Sequence, residues 1–445
     1  MTARAVPPNR IATIGPSYFV ILNGIDGIRE ALVERGDDCA GRPEMFIKSF
    51  GAGGKGIITH SFDSDLQEQK KFALRSLKCF GLEGASMEAR IKRESISLAE
   101  LLLEKAGEAI GMARYLQLGT SNVICSVTFG ERFDYNSGQF QFLLDQLDEQ
   151  FYTNPFKYLL QIARIIPKPL RKRMSWMDLA SPAEKVLGYL SKVIEEHHTK
   201  FNPDCLLDII DAFLLKQEQH KAGYFENRGE SAKSFNNEQL KYLLLDFFLA
   251  GTETTATTLN WALLFMIRFP RVQDKVQEEL DMLLGKDPNA VASMSDRRSL
   301  PYTSATLLEI QRIRPVAPMG TPHSTIRDTC LHGYELPKGT PIITNLWSVH
   351  HDEKYWPNPE EFVPSRMLDE DGIIIRPYSF LPFAIGPRAC LGEQLAKLEL
   401  FIFFTTLMHR FSFSSLQGQP MPSLEPHLGI SMTPKPYKLC ITQRL

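Results

Sequence analysis

Ten residues near the carboxyl end constrain this chain most: Phe383-Ala-Ile-Gly386-Pro-Arg388-Ala-Cys390-Leu-Gly392. Two glycines bracket a cysteine, with an arginine two residues before it and a phenylalanine seven before it. An apolar, helix-length segment, Leu391 to Met408, follows at once. Glycine lets the backbone take positive φ and admits close neighbours, so the pattern predicts Cys390 at a turn that feeds a helix. Backbone N–H groups and the positive helix end favour a thiolate there. A free cysteine can equally be a small buried hydrophobe. If it is a thiolate, it is a metal ligand or a nucleophile.

A second stretch breaks local rules. Asn237 to Phe269 is the longest helical candidate, and inside it lies Ala250-Gly251-Thr252-Glu253-Thr254-Thr255. A glycine, an acid and hydroxyls in an apolar helix contradict local propensity. Such violations are expected at functional sites, although a kink with satisfied hydroxyls reads the same way.

The pattern F-x-x-G-x-R-x-C-x-G resembles the haem-binding loop of the cytochrome P450 family, and A-G-x-E-T-T resembles the segment that crosses its distal haem face. The resemblance implies that Cys390 is the axial thiolate of haem iron, a ligand that favours O–O cleavage. Arg388 would pair with a haem propionate, Phe383 would pack on the porphyrin, and Gly386 and Gly392 would shape the loop. Beside Ala250, Gly251 would make room for dioxygen. Thr254 would hydrogen-bond the bound oxygen and position water, with Glu253 supporting proton delivery, because the chemistry needs protons without flooding the site. The implied cofactor is haem b. Electrons would come from NADPH through the flavins of a separate NADPH–cytochrome P450 reductase, with cytochrome b5 as a candidate further partner.

Other implied parts follow the same resemblance. Glu309 and Arg312 are three apart on a helix and so are neighbours. With Arg366 of Pro359-Glu-Glu-Phe362-Val-Pro364-Ser-Arg366 they resemble a lock that holds the fold without catalysing. His323 would contact a propionate. Family members carry Trp and Arg four apart on the cationic helix Leu66 to Cys79; here Leu66 and Lys70 stand there. A lysine is a point charge, not a planar fork, so any anchoring by Lys70 takes a different geometry.

The length of 445 residues suggests roughly three domains at about 150 each, whereas the resemblance implies one domain over residues 1–445, mainly α with a small β-sheet region. A net charge of −2 gives no electrostatic case for nucleic acid. Seven scattered cysteines without a C-x-x-C fit neither a disulfide framework nor a zinc module, and point to a reducing, cytosol-facing setting. No apolar run reaches the roughly 18 residues of a transmembrane helix. Members of the resembling family's microsomal branch begin with an anchor and a first helix; this chain opens near the first strand, at Ile11 to Asn23, which predicts an incomplete, shortened or alternatively started chain without that anchor. The setting implied is the cytoplasmic face of the endoplasmic reticulum membrane, with peripheral contact.

Along the chain, Tyr18 to Asn23 reads as a strand and Ile25 to Arg35 as a helix. Gly51-Ala-Gly53-Gly-Lys-Gly56 satisfies G-x-G-x-x-G, but Ile57-Ile-Thr-His60 after it is no helix start, so a loop is expected and not a nucleotide cradle. Met87 to Leu118, Asn122 to Arg132 and Gln139 to Ile165 read as helices, with Cys125 in the core. Ile166 to Trp176 is basic and apolar together, either an interfacial membrane segment or a basic surface loop. Gln217 to Asn236 is a polar connection. Tyr334 to Asn345 is a turn and strand, and Gly429-Ile430-Ser431 a hairpin tip. Phe50 to Thr59, Phe151 to Pro167, Phe248 to Thr254, Pro315 to Gly320 and Ile430 would line an apolar cavity for a lipophilic molecule.

The function expected is a haem-thiolate monooxygenase acting on a fatty acid, steroid or xenobiotic. The alternatives are a lipid-peroxide isomerase or dehydratase of the same fold, or a truncated haem binder without catalysis.

Overall fold

A computed structural model describes residues 10–14, 17–49, 53–82, 85–151, 181–224 and 234–444. The chain enters through a hairpin, β1 (Arg10–Ile14) and β2 (Ser17–Asn23), then α1 (Gly24–Arg29), which runs on as a wider turn through Glu34. Helices α2 (Glu44–Ser49), α3 (Ser64–Leu77), α4 (Ala85–Leu103), α5 (Ala113–Thr128), α6 (Gly138–Phe151), α7 (Ser181–Lys200) and α8 (Ile209–Lys221) follow, with the short β3 (Ala109–Ile110) ahead of α5. Then come α9 (Asn237–Arg268), α10 (Pro270–Leu284) and α11 (Pro301–Ile313). Strands β4 (His323–Ser324), β5 (Thr329–Leu331), β6 (Tyr334–Leu336) and β7 (Pro341–Asn345) lead to α12 (Leu346–His350). The chain closes with α13 (Glu393–Arg410), β8 (Phe411–Ser414), β9 (Pro426–Leu428), β10 (Met432–Pro434) and β11 (Leu439–Gln443). It is an α-rich fold with small separate sheets, as the sequence predicts.

Helix α9 is the axis. Asn236 caps it by accepting the Gln239 N–H. Apolar residues on every side, from Leu240 to Ile267, bury it among the other helices. One sequence expectation fails beside it. The break predicted between Leu118 and Asn122 does not occur; it falls at residues 104–112, where Gly107 takes φ 84°. Gly119-Thr120-Ser121 instead lies buried inside α5. A Cβ on Gly119 would come within 2.9 Å of the Phe403 ring on α13, so this glycine serves close packing, not a turn.

In the main sheet, of order β1-β2-β7-β4, β2 runs parallel to β7 with Val20 opposite Ile342. Strands β9 and β10 form the expected hairpin. The hydrophobic interior has a large helical part around α9 and a smaller part around β2, α1 and β7. The cysteine loop bridges the two: Ala384 and Ile385 pack on the smaller part, Leu391 and Leu395 on the larger.

The polar run from Gln217 begins as the end of α8, which continues to Lys221. The basic segment 166–176 lies outside the described residues. Among the described residues, no helix is long and apolar enough to cross a membrane.

Candidate functional site

The cysteine loop is built on a backbone that its glycine makes possible. Gly386 has φ 82°, and a Cβ there would be driven into the Leu32 carbonyl. Ala384 also takes positive φ, 56°. The Cys390 N–H donates to the Phe383 carbonyl (3.0 Å), closing the loop. Gly392 caps α13 at φ −86° with nothing within 4 Å of an added Cβ, so space is open beside it. Cys390 is a free, exposed cysteine. Protein around it on most sides nevertheless pushes the thiol up, against the opposing Gly392 N–H. The helix end therefore does not by itself favour a thiolate in the free protein: burial outweighs it.

Four basic side chains gather next to this loop. Arg388 donates to the carbonyls of Ala40 (2.8 Å), Ile57 (3.0 Å) and His60. Lys70 donates to the Pro387 carbonyl. Arg42, which sequence reasoning missed, donates to the carbonyls of Ile58 and Pro322, both at 2.8 Å. Among the described residues no carboxylate forms an ion pair with any of the three. Burial pushes all three down, Arg388 to about 10, and Arg388 further lowers the other two. His323 is buried with Nδ1 3.0 Å from the Cys39 carbonyl; burial and then Arg42 push it well down, so it is neutral. Such a cluster of buried, mutually repelling cations is costly unless an anion joins it. Leu66, where a tryptophan was absent from the motif, is fully buried in the core face of α3.

Helix α9 faces the loop: Thr254, Thr255 and Thr258 line one cavity with Pro382 and Phe383. Ala250 and Thr254, one turn apart, line a cavity of about 370 Å³. Thr254 donates its hydroxyl to the Ala250 carbonyl at 2.7 Å. Two neighbours face elsewhere, contrary to expectation. A Cβ on Gly251 would meet Ile124 of α5 at 3.0 Å, so this glycine admits α5 and not a ligand. Glu253 is fully buried on the α5 side, accepting from Gln117 Nε2 (3.1 Å) and Thr257 Oγ1 (2.9 Å). A helix puts residues i and i+4 on one face; residues 250 and 254 share the cavity face, and 251 and 253 do not.

The same spacing, continued back one turn, gives Asp246, another residue the sequence reading missed. Its carboxylate accepts from the N–H groups of Ile57 (2.5 Å) and Ile58 (2.9 Å), while Gln239 clamps both the N–H (3.1 Å) and C=O (3.0 Å) of Gly56. These same loop residues offer their carbonyls to Arg388 and Arg42. From Gly53 on, the glycine-rich stretch is thus a loop, as expected, strapped between α9 and the cations. A lone acid in the apolar run Leu243 to Leu249 was the signal available for Asp246. Ile58, Phe151, Leu249, Val316, Ala317 and Ile430 join the cavity wall; residues 50–52 and 152–167 of the expected lining lie outside the described residues.

The lock is assembled. Arg312 donates to both Glu309 oxygens (2.7 and 2.8 Å), and Arg366 Nε donates to Glu309 at 2.9 Å. Both Glu309 and Arg312 are fully buried.

The profile of the family described as Cytochrome P450 matches residues 11–441. The chain belongs to the cytochrome P450 family. It is 39% identical over 429 residues to cytochrome P450 2D16 of Cavia porcellus, covering 96% of this chain and 84% of that one. Cytochrome P450 2J2 of Homo sapiens is 38% identical, covering 96% and 83%. Cytochrome P450 2U1 of Homo sapiens is 35% identical, covering 97% and 78%. P450 proteins are haem-thiolate monooxygenases. The chain's residues fit a haem: Cys390 is free and exposed, and Arg42, Lys70 and Arg388, with no carboxylate ion pair among the described residues, suit its two propionates.

Proposed function

We propose that this P450 inserts one oxygen atom of O2 into a lipophilic substrate, and that residues 1–445 act as one domain in doing so. The observation that carries the reading is that Thr254 of α9 and Phe383 of the cysteine loop line one cavity, with Arg388 and Lys70 hydrogen-bonded beside that loop and Arg42 next to them. Cys390 would ligate the iron. Arg388, Arg42 and Lys70 would take the propionates, with His323 beside them and Phe383 against the ring. Bound there, haem supplies the oxygen chemistry. Ala250 gives the small wall that leaves room above it. The Thr254 hydroxyl, which already donates within its helix, accepts and passes on a proton. Glu253, turned towards Gln117, would support α9 from behind.

Electrons would come from NADPH through a flavoprotein reductase, with cytochrome b5 as a further donor. The family 2 relatives and the basic, apolar segment 166–176 support work at the cytoplasmic face of the endoplasmic reticulum membrane. A fatty acid, steroid or foreign compound suits the lining. The test is the reduced, carbon monoxide-bound spectrum. It should carry the red-shifted Soret band of sulfur ligation, and Cys390→Ser should lose it. Candidate ligands should shift the ferric spectrum, and those that do should be turned over with NADPH and reductase. An unchanged spectrum in the serine variant would sink the reading.

A further inference from the structure

Gln150 stands on the last turn of α6, one residue before the lining expected from sequence, and is 4% exposed. It lines the cavity of about 370 Å³ that Ala250 and Thr254 also line. Its Oε1 is buried with no hydrogen-bond partner among the described residues. An amide carries one acceptor and two donors, and an acceptor left unmet in a buried place costs free energy. The last torsion of a glutamine is broad, so the amide can turn to meet a ligand in the cavity it lines.

The rest of the wall sets that amide apart. Among the described residues that line the cavity, none is charged and most are apolar. The other polar side chains are three hydroxyls. Thr254 donates its own to the Ala250 carbonyl, and Thr321 is exposed, so water reaches it. Ser431 is buried in the hairpin tip. A Cβ on Gly429 of that tip would lie 3.1 Å from the Phe151 carbonyl and 3.5 Å from the Ser431 carbonyl. The end of α6 and the hairpin tip thus lie side by side, with Gln150 and Ser431 on the same wall. Gln146, one turn earlier on α6, is also a buried amide whose Oε1 has no partner among the described residues, but it does not line the cavity.

We propose that Gln150 determines specificity: its amide hydrogen-bonds an uncharged polar group, a hydroxyl or a carboxamide, on an otherwise apolar substrate. This rests on the monooxygenase reading of the cavity. A hydroxyl or a carboxamide both donates and accepts, so it can satisfy Oε1. A carboxylate only accepts. It would leave Oε1 unmet and find no cation among the described lining residues, which is costly for a buried charge. Within lipophilic molecules the class narrows to alcohols, hydroxysteroids and fatty amides, in place of ionised fatty acids. Held by that group, the substrate has one point fixed while its apolar part lies along the wall shared with Ala250 and Thr254. Fixing that point sets which carbon is oxidised.

The test uses the full, haem-loaded chain and four matched probes: dodecanol, dodecanamide, dodecane and dodecanoate. Affinities are read by titrating the ferric spectrum and, independently, by calorimetry. Wild type should bind dodecanol and dodecanamide about three- to tenfold more tightly than Gln150→Met does, the range that one net hydrogen bond supplies. Dodecane should bind both alike, and dodecanoate should be the weakest polar probe of wild type at neutral pH. Oxidation of dodecanol should spread over more carbons in Gln150→Met. That variant should keep its thermal midpoint, because Oε1 has no partner in the described fold; Gln150→Leu serves if the methionine variant does not fold. Gln146→Met removes the comparable amide outside the cavity and should leave all four affinities as in wild type. Equal affinities of wild type and Gln150→Met for the alcohol and the amide, the same loss in Gln146→Met, or tightest binding of dodecanoate overturns the proposal. A wild type without the sulfur-ligated carbon monoxide spectrum overturns the monooxygenase reading instead, and the calorimetric comparison still decides what Gln150 binds.

Discussion

At the scale of single residues, the site is defined by groups whose burial is paid back by specific partners. Asp246 is the sharpest case. Burial pushes its carboxyl up to about 7, against the N–H groups of Ile58 and Ile57 and the charge of Arg42. The unfolded value is about 3.9, so the folded chain binds this proton more tightly. Its contribution to stability is fully present below the unfolded value and is lost as pH rises through about 7. Asp246→Asn keeps an acceptor for the loop amides and removes the titration. The apoprotein variant should therefore gain in thermal midpoint over the wild type as pH is raised from about 5 to about 8. A gap that instead widens in the wild type's favour would mean that the two N–H bonds and Arg42 outweigh burial. The direction matters for function, since the loop that Asp246 straps carries the carbonyl partners of Arg388 and Arg42.

At the scale of elements, what was legible was whatever a period or a long motif could carry. The cysteine loop, the axis helix, the lock and the cavity segments all rest on fixed spacings or sustained apolar patterns. What was not legible depended on which neighbour a residue meets. Gly119 and Gly251 look like a helix end and an oxygen niche in sequence, yet both are points where helices press together, against Phe403 and Ile124. Asp246 shares the spacing of Ala250 and Thr254, but its role, like that of Arg42, shows only once the loop of residues 53–60 folds across them. Tertiary packing also overrode the predicted break in α5, because a glycine's helix penalty of about 1 kcal/mol is smaller than the packing it permits. Enlarging Gly251 tests this. Gly251→Leu should destabilise by about 1–3 kcal/mol through overpacking at Ile124, read by urea unfolding, and Ile124→Ala in the same chain should relieve most of it. If Gly251→Leu left stability unchanged but altered ligand affinity, the glycine would face the cavity after all.

At the scale of the whole molecule, the sulfur-bearing loop is held between two hydrophobic interiors, with Ala384 and Ile385 packed on one and Leu391 and Leu395 on the other. The lock does this from one side. Glu309 lies on α11, packed with the helices, while Arg312 reaches the carbonyl of His350 (2.8 Å) and Arg366 those of Pro357 (2.8 Å) and Asn358 (3.3 Å). His350 in turn accepts the N–H of Leu381 (2.9 Å), two residues before Phe383. One carboxylate thus ties the helical body to the stretch that delivers the cysteine loop. Removing only the acid leaves two arginines facing each other, one of them fully buried, and breaking a buried pair from one side costs about 3–5 kcal/mol. Glu309→Gln should therefore unfold at markedly lower urea. Its loss should appear first around residues 350–390, as faster amide hydrogen exchange there than in α9, whose apolar contacts remain. Uniform loosening of both regions would mean that the molecule behaves as one cooperative body, and that the lock's energy is shared rather than local to the loop it faces.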